Sequence, residues 1–174
     1  MSETEWKEIK GYEGMYYLDP VCNLVYSMKS ERYIKPEISN MGYERVRLYK
    51  EGNGKRGKRY SLHRLIYTCY NPNEDIDDYF IDHKDGNSLN NDISNLRKAT
   101  PQQNNWNSKA YSNSKSGLKN IYFQIKNSSN PWRVTIKRDG NSSVYDKYFP
   151  TKEAAIIARN VIYALHQGEF AKYD

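Results

Sequence analysis

The chain has 174 residues, enough for one domain of ordinary size or for two or three small modules in series. With 37% hydrophobic and 28% charged residues and a mean hydropathy of −0.98 it is polar, yet 17 Tyr, 4 Phe and 3 Trp exclude a disordered composition. A net charge of +6, with basic residues interleaved among aromatics, points to a polyanionic partner and favours nucleic acid over a membrane surface.

Residues 5–49 alternate between apolar and polar positions and carry frequent turn signals, as in "NLVYSM", "RYIKPEI" and "GYERVRLYK", which predicts short strands in a meander. The loop "KEGNGKRGKRY" (50–60) sets basic residues around glycines and is expected either to bring Lys55, Arg56, Lys58 and Arg59 to phosphates or to form a solvated hairpin tip. In "YSLHRLIYTCY", Leu62, Leu65 and Ile66 have helical spacing, and "NPNED" stops that helix. Ile93 to Leu96 reads as a short strand. Thr100-Pro101-Gln102-Gln103 predicts a helix start, with Thr as N-cap, Pro at the first helical position and Gln at the third. The Ser/Asn/Lys-rich stretch 107–119 reads as a linker. Beyond it "NIYFQIK", "WRVTIKR" and "VYDKYF" predict three strands. One helix then starts after Thr151, with Ala154, Ala158, Val161 and Leu165 on one face and Gly168 near its C-cap. The charge follows this division: residues 1–100 carry 16 Lys+Arg and 16 Asp+Glu, whereas 101–174 carry 11 and 5.

Cys22 and Cys69 form neither a disulfide framework nor a four-cysteine zinc site, and they read as two small buried apolar side chains in a reducing cytoplasm. No apolar run reaches the ~18 residues of a membrane-spanning helix, and "MSETEWKEIK" lacks the apolar segment of a signal peptide, so a cytoplasmic location is expected.

The chemistry concentrates in "IDHKDGNSLNNDISNLRKATPQQNN" (81–105). Asp82, His83 and Asn104 offer a carboxylate, an imidazole and a neutral amide oxygen. Mg²⁺ accepts such an oxygen set, keeps several waters and binds phosphate oxygens, which leaves His83 to act as general base in metal-assisted phosphodiester hydrolysis. Strand neighbours point to opposite faces, so Asp82 and His83 require a bend, and "KDGN" supplies a turn of the Asp-Gly class. Asn87, Asn90, Asn91 and Asn95 are suited to bonding backbone groups and to left-handed conformations in such a loop. From the residues alone, a catalytic site and a satisfied turn-rich loop both remain open.

"IDHKDGN" followed by "NDISNLRKATPQQNN" resembles the HNH motif of phage and intron-encoded HNH homing endonucleases, over about residues 61–106. The resemblance implies a ββα-metal nuclease core in which Asp82 and Asn104 bind the metal, His83 is the general base, and Asn95 braces the loop and orients His83. His63 in "LHRL" also matches a recurrent position, with a structural role expected. Asn104 stands where many relatives have His, which favours Mg²⁺ or Mn²⁺ over zinc. The N-terminal stretch resembles the small module that precedes the nuclease in these enzymes, with a departure at "YYLDPVCNLVYS". The C-terminal part is similar to the plant ethylene-response-factor (Apetala-type) DNA-binding domain, whose three-stranded sheet lies in the major groove.

The expected architecture is therefore α+β modules in series. Residues 1–54 are an N-terminal DNA-binding antiparallel β module, 55–106 the HNH core, 107–119 a linker, and 120–174 a three-stranded sheet packed on one helix. A β-ribbon fits the major groove, where Arg, Lys, Gln and Thr can address base edges. Gln124, Lys126, Arg133, Thr135, Lys137 and Lys147 are the expected DNA-facing set, with Trp132 and Tyr148 divided between DNA and packing on the helix. The function expected is a site-specific homing endonuclease on double-stranded DNA, acting as a monomer without a protein or membrane partner and nicking one strand. The alternatives are a DNA-binding regulator with an inactive nuclease core and an RNA-directed protein using tyrosines as stacking platforms.

Overall fold

A computed structural model describes residues 5–52, 56–125, 129–137 and 143–173. It divides into two compact units, Met1–Ala99 and Thr100–Asp174.

In the first unit, β1 (Lys7–Glu8), β2 (Tyr16–Asp19), β3 (Leu24–Ser27) and β4 (Arg32–Tyr33) form an antiparallel sheet in sequence order, and β5 (Glu37–Ile38), β6 (Glu44–Leu48) and β7 (Lys58–Ser61) form a second. This is the meander the alternating pattern predicts. Gly57 closes the β6–β7 hairpin at φ +64°, where a Cβ would lie 2.7 Å from the Leu48 carbonyl oxygen, so only glycine fits without a shift. α1 (Leu62–Tyr70) follows directly from β7, with Ser61 at its N-cap position but making no side-chain capping bond. Leu62 and Ile66, one turn apart, are buried in one core with Ile9, Leu18, Val25, Val46, Leu48, Ile81 and Leu96, so both sheets, α1 and the following hairpin share their apolar burial. Arg64 donates from Nη1 to the Tyr79 carbonyl (2.7 Å) and from Nη2 to that of Ile76 (2.9 Å), which pins the loop after α1. That loop leads to β8 (Phe80–His83), antiparallel to β9 (Leu96–Ala99). Ile93–Asn95 is a 3₁₀ turn capped by Asp92, not the start of the strand as expected: the Asp92 carboxylate accepts from Ser94 N at 2.8 Å, a local bond that competes with strand pairing.

The second unit opens with α2 (Pro101–Trp106), whose Thr100 and Gln103 form the reciprocal capping box that the sequence predicts. The segment 107–119 is tied down, since Ser116 Oγ donates to the Ile121 carbonyl at 2.5 Å and Lys119 Nζ donates to the carbonyls of Asn105, Trp106 and Ser108 around the end of α2. A lysine there answers the unpaired carbonyls that end every helix. β10 (Ile121–Phe123), β11 (Trp132–Lys137) and β12 (Ser143–Phe149) form a sheet in sequence order, and α3 (Lys152–His166), capped by Thr151, packs on it through a core of Ile121, Val134, Ile136, Ala155 and Tyr163. The helix face differs from the expected one. Ala155, Arg159 and Tyr163 are buried, while Val161 and Leu165 are exposed. Arg159 can be buried because its Nε donates to Asn160 Oδ1 (3.1 Å), its Nη1 reaches the Lys119 carbonyl (3.4 Å), and its guanidinium stands 5.4 Å from the Tyr163 ring centroid.

Among the described residues no helix is long and apolar enough to cross a membrane.

Candidate active site

β8 carries Asp82 and His83 into the bend where the strand ends. Asp82 lies opposite Arg97 in the β8–β9 register, and its Oδ2 accepts from Arg97 Nε at 2.9 Å, with both side chains buried. A carboxylate held in so little water keeps a fixed orientation, and the arginine offsets its buried charge. The chain turns immediately after His83, whose carbonyl accepts from Gly86 N at 2.8 Å. Gly86 takes the left-handed conformation at φ +71°, and among the described residues no asparagine of this loop does. The expectation for the asparagines holds in one half and is corrected in the other: they bond backbone groups, as Asn87 Oδ1 does in accepting from Leu89 N, but glycine supplies the left-handed turn because it has no Cβ to strain.

Asn95 is the hub of that bracing. Its Nδ2 donates to Asp85 Oδ1 (3.1 Å) and to the Asn90 carbonyl (2.8 Å), and its Oδ1 accepts from Asp85 N (3.1 Å). Burial raises the Asp85 carboxyl, but hydrogen bonds from Asn87 N and the Asn90 and Asn95 amides outweigh it and leave the group below its usual range. The hydrogen bond to the imidazole comes from a different asparagine than expected. His83 Nε2 lies 3.1 Å from Asn91 Oδ1, and Asn91 Nδ2 donates to Glu44 Oε2 at 2.7 Å. Neither Asn91 as the partner nor Glu44 is legible from motif spacing.

His63 stands beside His83 with ring centroids 5.1 Å apart, and Tyr43 packs against both, at 5.2 and 5.9 Å. Its Nδ1 is buried with no hydrogen-bond partner, and burial, followed by the neighbouring His83 and Arg64 charges, pushes the imidazole down to about 4. The ring is therefore neutral at ordinary pH.

Asn104, half-buried, sits on α2 in the second unit. Among the described residues no group of three or more His, Cys, Asp or Glu is placed to hold a metal, so these side chains do not build a closed zinc cage. A carboxylate and an amide oxygen, each taken by itself, are hard oxygen donors of the class that Mg²⁺ or Mn²⁺ accepts.

Lys55 and Lys126 lie outside the described residues. Arg56, Lys58 and Arg59 are exposed on the β6–β7 hairpin, where Arg59 Nε approaches Glu37 Oε2 at 3.6 Å. On the C-terminal sheet Tyr122, Arg133 and Tyr148 form one cross-strand row and Thr135 faces Asp146 in the next. Arg133 binds Asp146 through two bonds, Nε–Oδ1 at 2.8 Å and Nη2–Oδ2 at 2.5 Å, and Thr135 Oγ1 donates to the same carboxylate. Gln124 Oε1 accepts from the Tyr148 hydroxyl at 3.3 Å on this face. Lys147 lies opposite buried Val134 and so stands on the α3 side, away from Arg133 and Thr135. Trp132 packs on the α3 side too, which settles its role as core, whereas Tyr148 shares the open face.

A model of the HNH endonuclease family matches residues 60–106. The chain is 43% identical over 102 residues to DNA endonuclease I-HmuI of Bacillus phage SP01, covering 58% of this chain and 55% of that protein. It is 39% identical over 110 residues to an uncharacterised HNH endonuclease of Acanthamoeba polyphaga mimivirus, covering 63% and 54% respectively. The chain thus spans about half the length of the curated relatives it matches. A solved structure described as DNA binding and cleavage by the HNH homing endonuclease I-HmuI superimposes with a TM-score of 0.54 at 31% identity, covering 94% of this chain and 91% of the other.

Proposed function

The chain belongs to the HNH endonucleases, and on that premise we propose that it is a site-specific homing endonuclease that hydrolyses phosphodiester bonds of double-stranded DNA. The observation that carries the reading is the pairing, inside the matched segment, of a buried carboxylate at Asp82 with a buried, hydrogen-bonded imidazole at His83.

In this reading Asp82 and Asn104 hold one divalent cation, Mg²⁺ with Mn²⁺ as a substitute. When bound, that cation would neutralise charge on the phosphate and on the departing oxygen. His83 takes the proton from the attacking water, and Arg97 keeps the Asp82 carboxylate oriented. Asn95 holds the loop that follows His83 in shape. The site addresses backbone phosphate, which carries no sequence information, so target choice falls to the flanking segments. We assign residues 1–54 as a DNA-binding β module, 55–106 as the nuclease, 107–119 as the connection and 120–174 as an ethylene-response-factor-like reader. Gln124, Lys126, Arg133, Thr135 and Lys137 then form the DNA-facing set of the C-terminal part, and Lys55, Arg56, Lys58 and Arg59 meet phosphates. One site on a monomer cuts one strand per encounter, so nicking is the expected outcome.

The test is cleavage of supercoiled DNA carrying the target, with Mg²⁺ and with EDTA, by the wild-type chain and His83→Ala. Open-circle product that EDTA and the substitution both abolish, with binding in Ca²⁺ retained, supports the reading. Binding without any cleavage by the wild type would instead favour a DNA-binding regulator, and direct conversion to linear DNA would exclude nicking.

A further inference from the structure

Glu44 lies on β6, outside residues 60–106, yet it ends a hydrogen-bond chain that begins at the His83 ring. A carboxylate presents acceptors, so the Asn91 amide must turn its NH₂ toward Glu44 and its oxygen toward His83. An amide oxygen only accepts, so His83 Nε2 must donate across the 3.1 Å contact. In the neutral ring the proton then sits on Nε2 and the lone pair on Nδ1. Asn91 is 7% and His83 4% exposed, which keeps water from competing for these bonds. A second tie holds the same loop to the same hairpin, since Ser88 Oγ donates to the Gly42 carbonyl at 2.8 Å.

We propose that Glu44 is a positioning residue of the nuclease site: through Asn91 it fixes the tautomer and orientation of His83, so that Nδ1 is the atom that receives the proton. The water O–H bond breaks, its proton goes to Nδ1, and its electron pair forms the new bond to phosphorus as the bond to the departing oxygen breaks. Nε2 keeps its proton throughout, and the Glu44 carboxylate, acting through the Asn91 dipole, stabilises the imidazolium formed. The chemical half of this inference rests on the endonuclease reading; the hydrogen-bond chain does not. It makes β6 necessary to the placement of a side chain carried by β8.

The experiment compares the full chain with Glu44→Ala and Glu44→Gln, because glutamine still offers Asn91 a carbonyl oxygen. Proton–nitrogen NMR of the imidazole is expected to show an exchange-protected Nε2 proton on His83 in the wild type and in Glu44→Gln, and none in Glu44→Ala. Single-turnover cleavage with Mg²⁺ is expected to slow about 10- to 100-fold in Glu44→Ala, while DNA affinity stays within about twofold and Glu44→Gln recovers most of the rate. Thermal melting of each variant separates these effects from loss of folded protein. A proton found on Nδ1, or an Nε2 proton still protected in Glu44→Ala, overturns the chain. An unchanged cleavage rate after that proton is lost overturns the positioning role. Should the wild type cut no DNA, the endonuclease reading fails, while the NMR result still decides the hydrogen-bond chain.

Discussion

Replacing Arg97 with Met leaves the Asp82 carboxylate buried without its guanidinium. The two side chains are 9% and 8% exposed and meet at 2.9 Å, so little solvent is present to take over. At an effective dielectric of ~20, charges ~4 Å apart attract by about 4 kcal/mol, and removing one partner of a buried pair typically costs about 3–5 kcal/mol. Arg97→Met is therefore expected to lower the unfolding free energy of the first unit by about 3–5 kcal/mol. Asp82→Asn strands the arginine in the same way. The double variant should lose less than the sum of the two, by a coupling of about 2–3 kcal/mol, because no uncompensated charge remains. Urea unfolding measures this in a background carrying Trp106→Phe and Trp132→Phe, so that Trp6 alone reports on residues 1–99. A loss below about 1 kcal/mol for Arg97→Met, or strict additivity in the double variant, would refute the view that Asp82 is a buried anion held by Arg97.

Three further outcomes are expected. Because the folded His63 titrates near 4 and an unfolded His near 6.5, the unfolded chain binds more protons between those values. Stability is thus complete above about pH 6.5 and falls by up to about 3 kcal/mol as pH drops toward 4, a slope that His63→Phe should flatten in urea titrations. Gly57→Ala forces a Cβ to within 2.7 Å of the Leu48 carbonyl at a positive φ, which should cost about 1–3 kcal/mol and appear as a lower melting temperature; an unchanged melt would mean that the hairpin relaxes freely. Asp146→Asn weakens the two-pronged hold on Arg133 and removes a negative charge from the open face. In competition binding with Ca²⁺ it should tighten binding to random DNA and relax selectivity at one base position by about 1–3 kcal/mol, whereas equal effects on every sequence would place Arg133 on phosphate.

Features of the chain governed by neighbours within one turn were legible without the fold. Thr100, Pro101 and Gln103 form their capping box, Thr151 caps the last helix, and Leu62 and Ile66 bury one face of α1, because caps and helical faces depend on contacts three or four residues apart. The same local chemistry marked Asp82 and His83 beside a turn. Which side chains meet them was decided by tertiary structure. Arg97 reaches Asp82 only through the β8–β9 register, and Glu44 reaches Asn91 across 47 positions of chain. Arg159 shows the limit from the other direction: pattern reading assigns a charged residue to solvent, yet the fold surrounds it with Asn160, the Lys119 carbonyl and the Tyr163 ring, and so turns the buried face of α3. Burial of a polar group depends on partners distant in sequence, and only the folded chain brings those partners within hydrogen-bond reach.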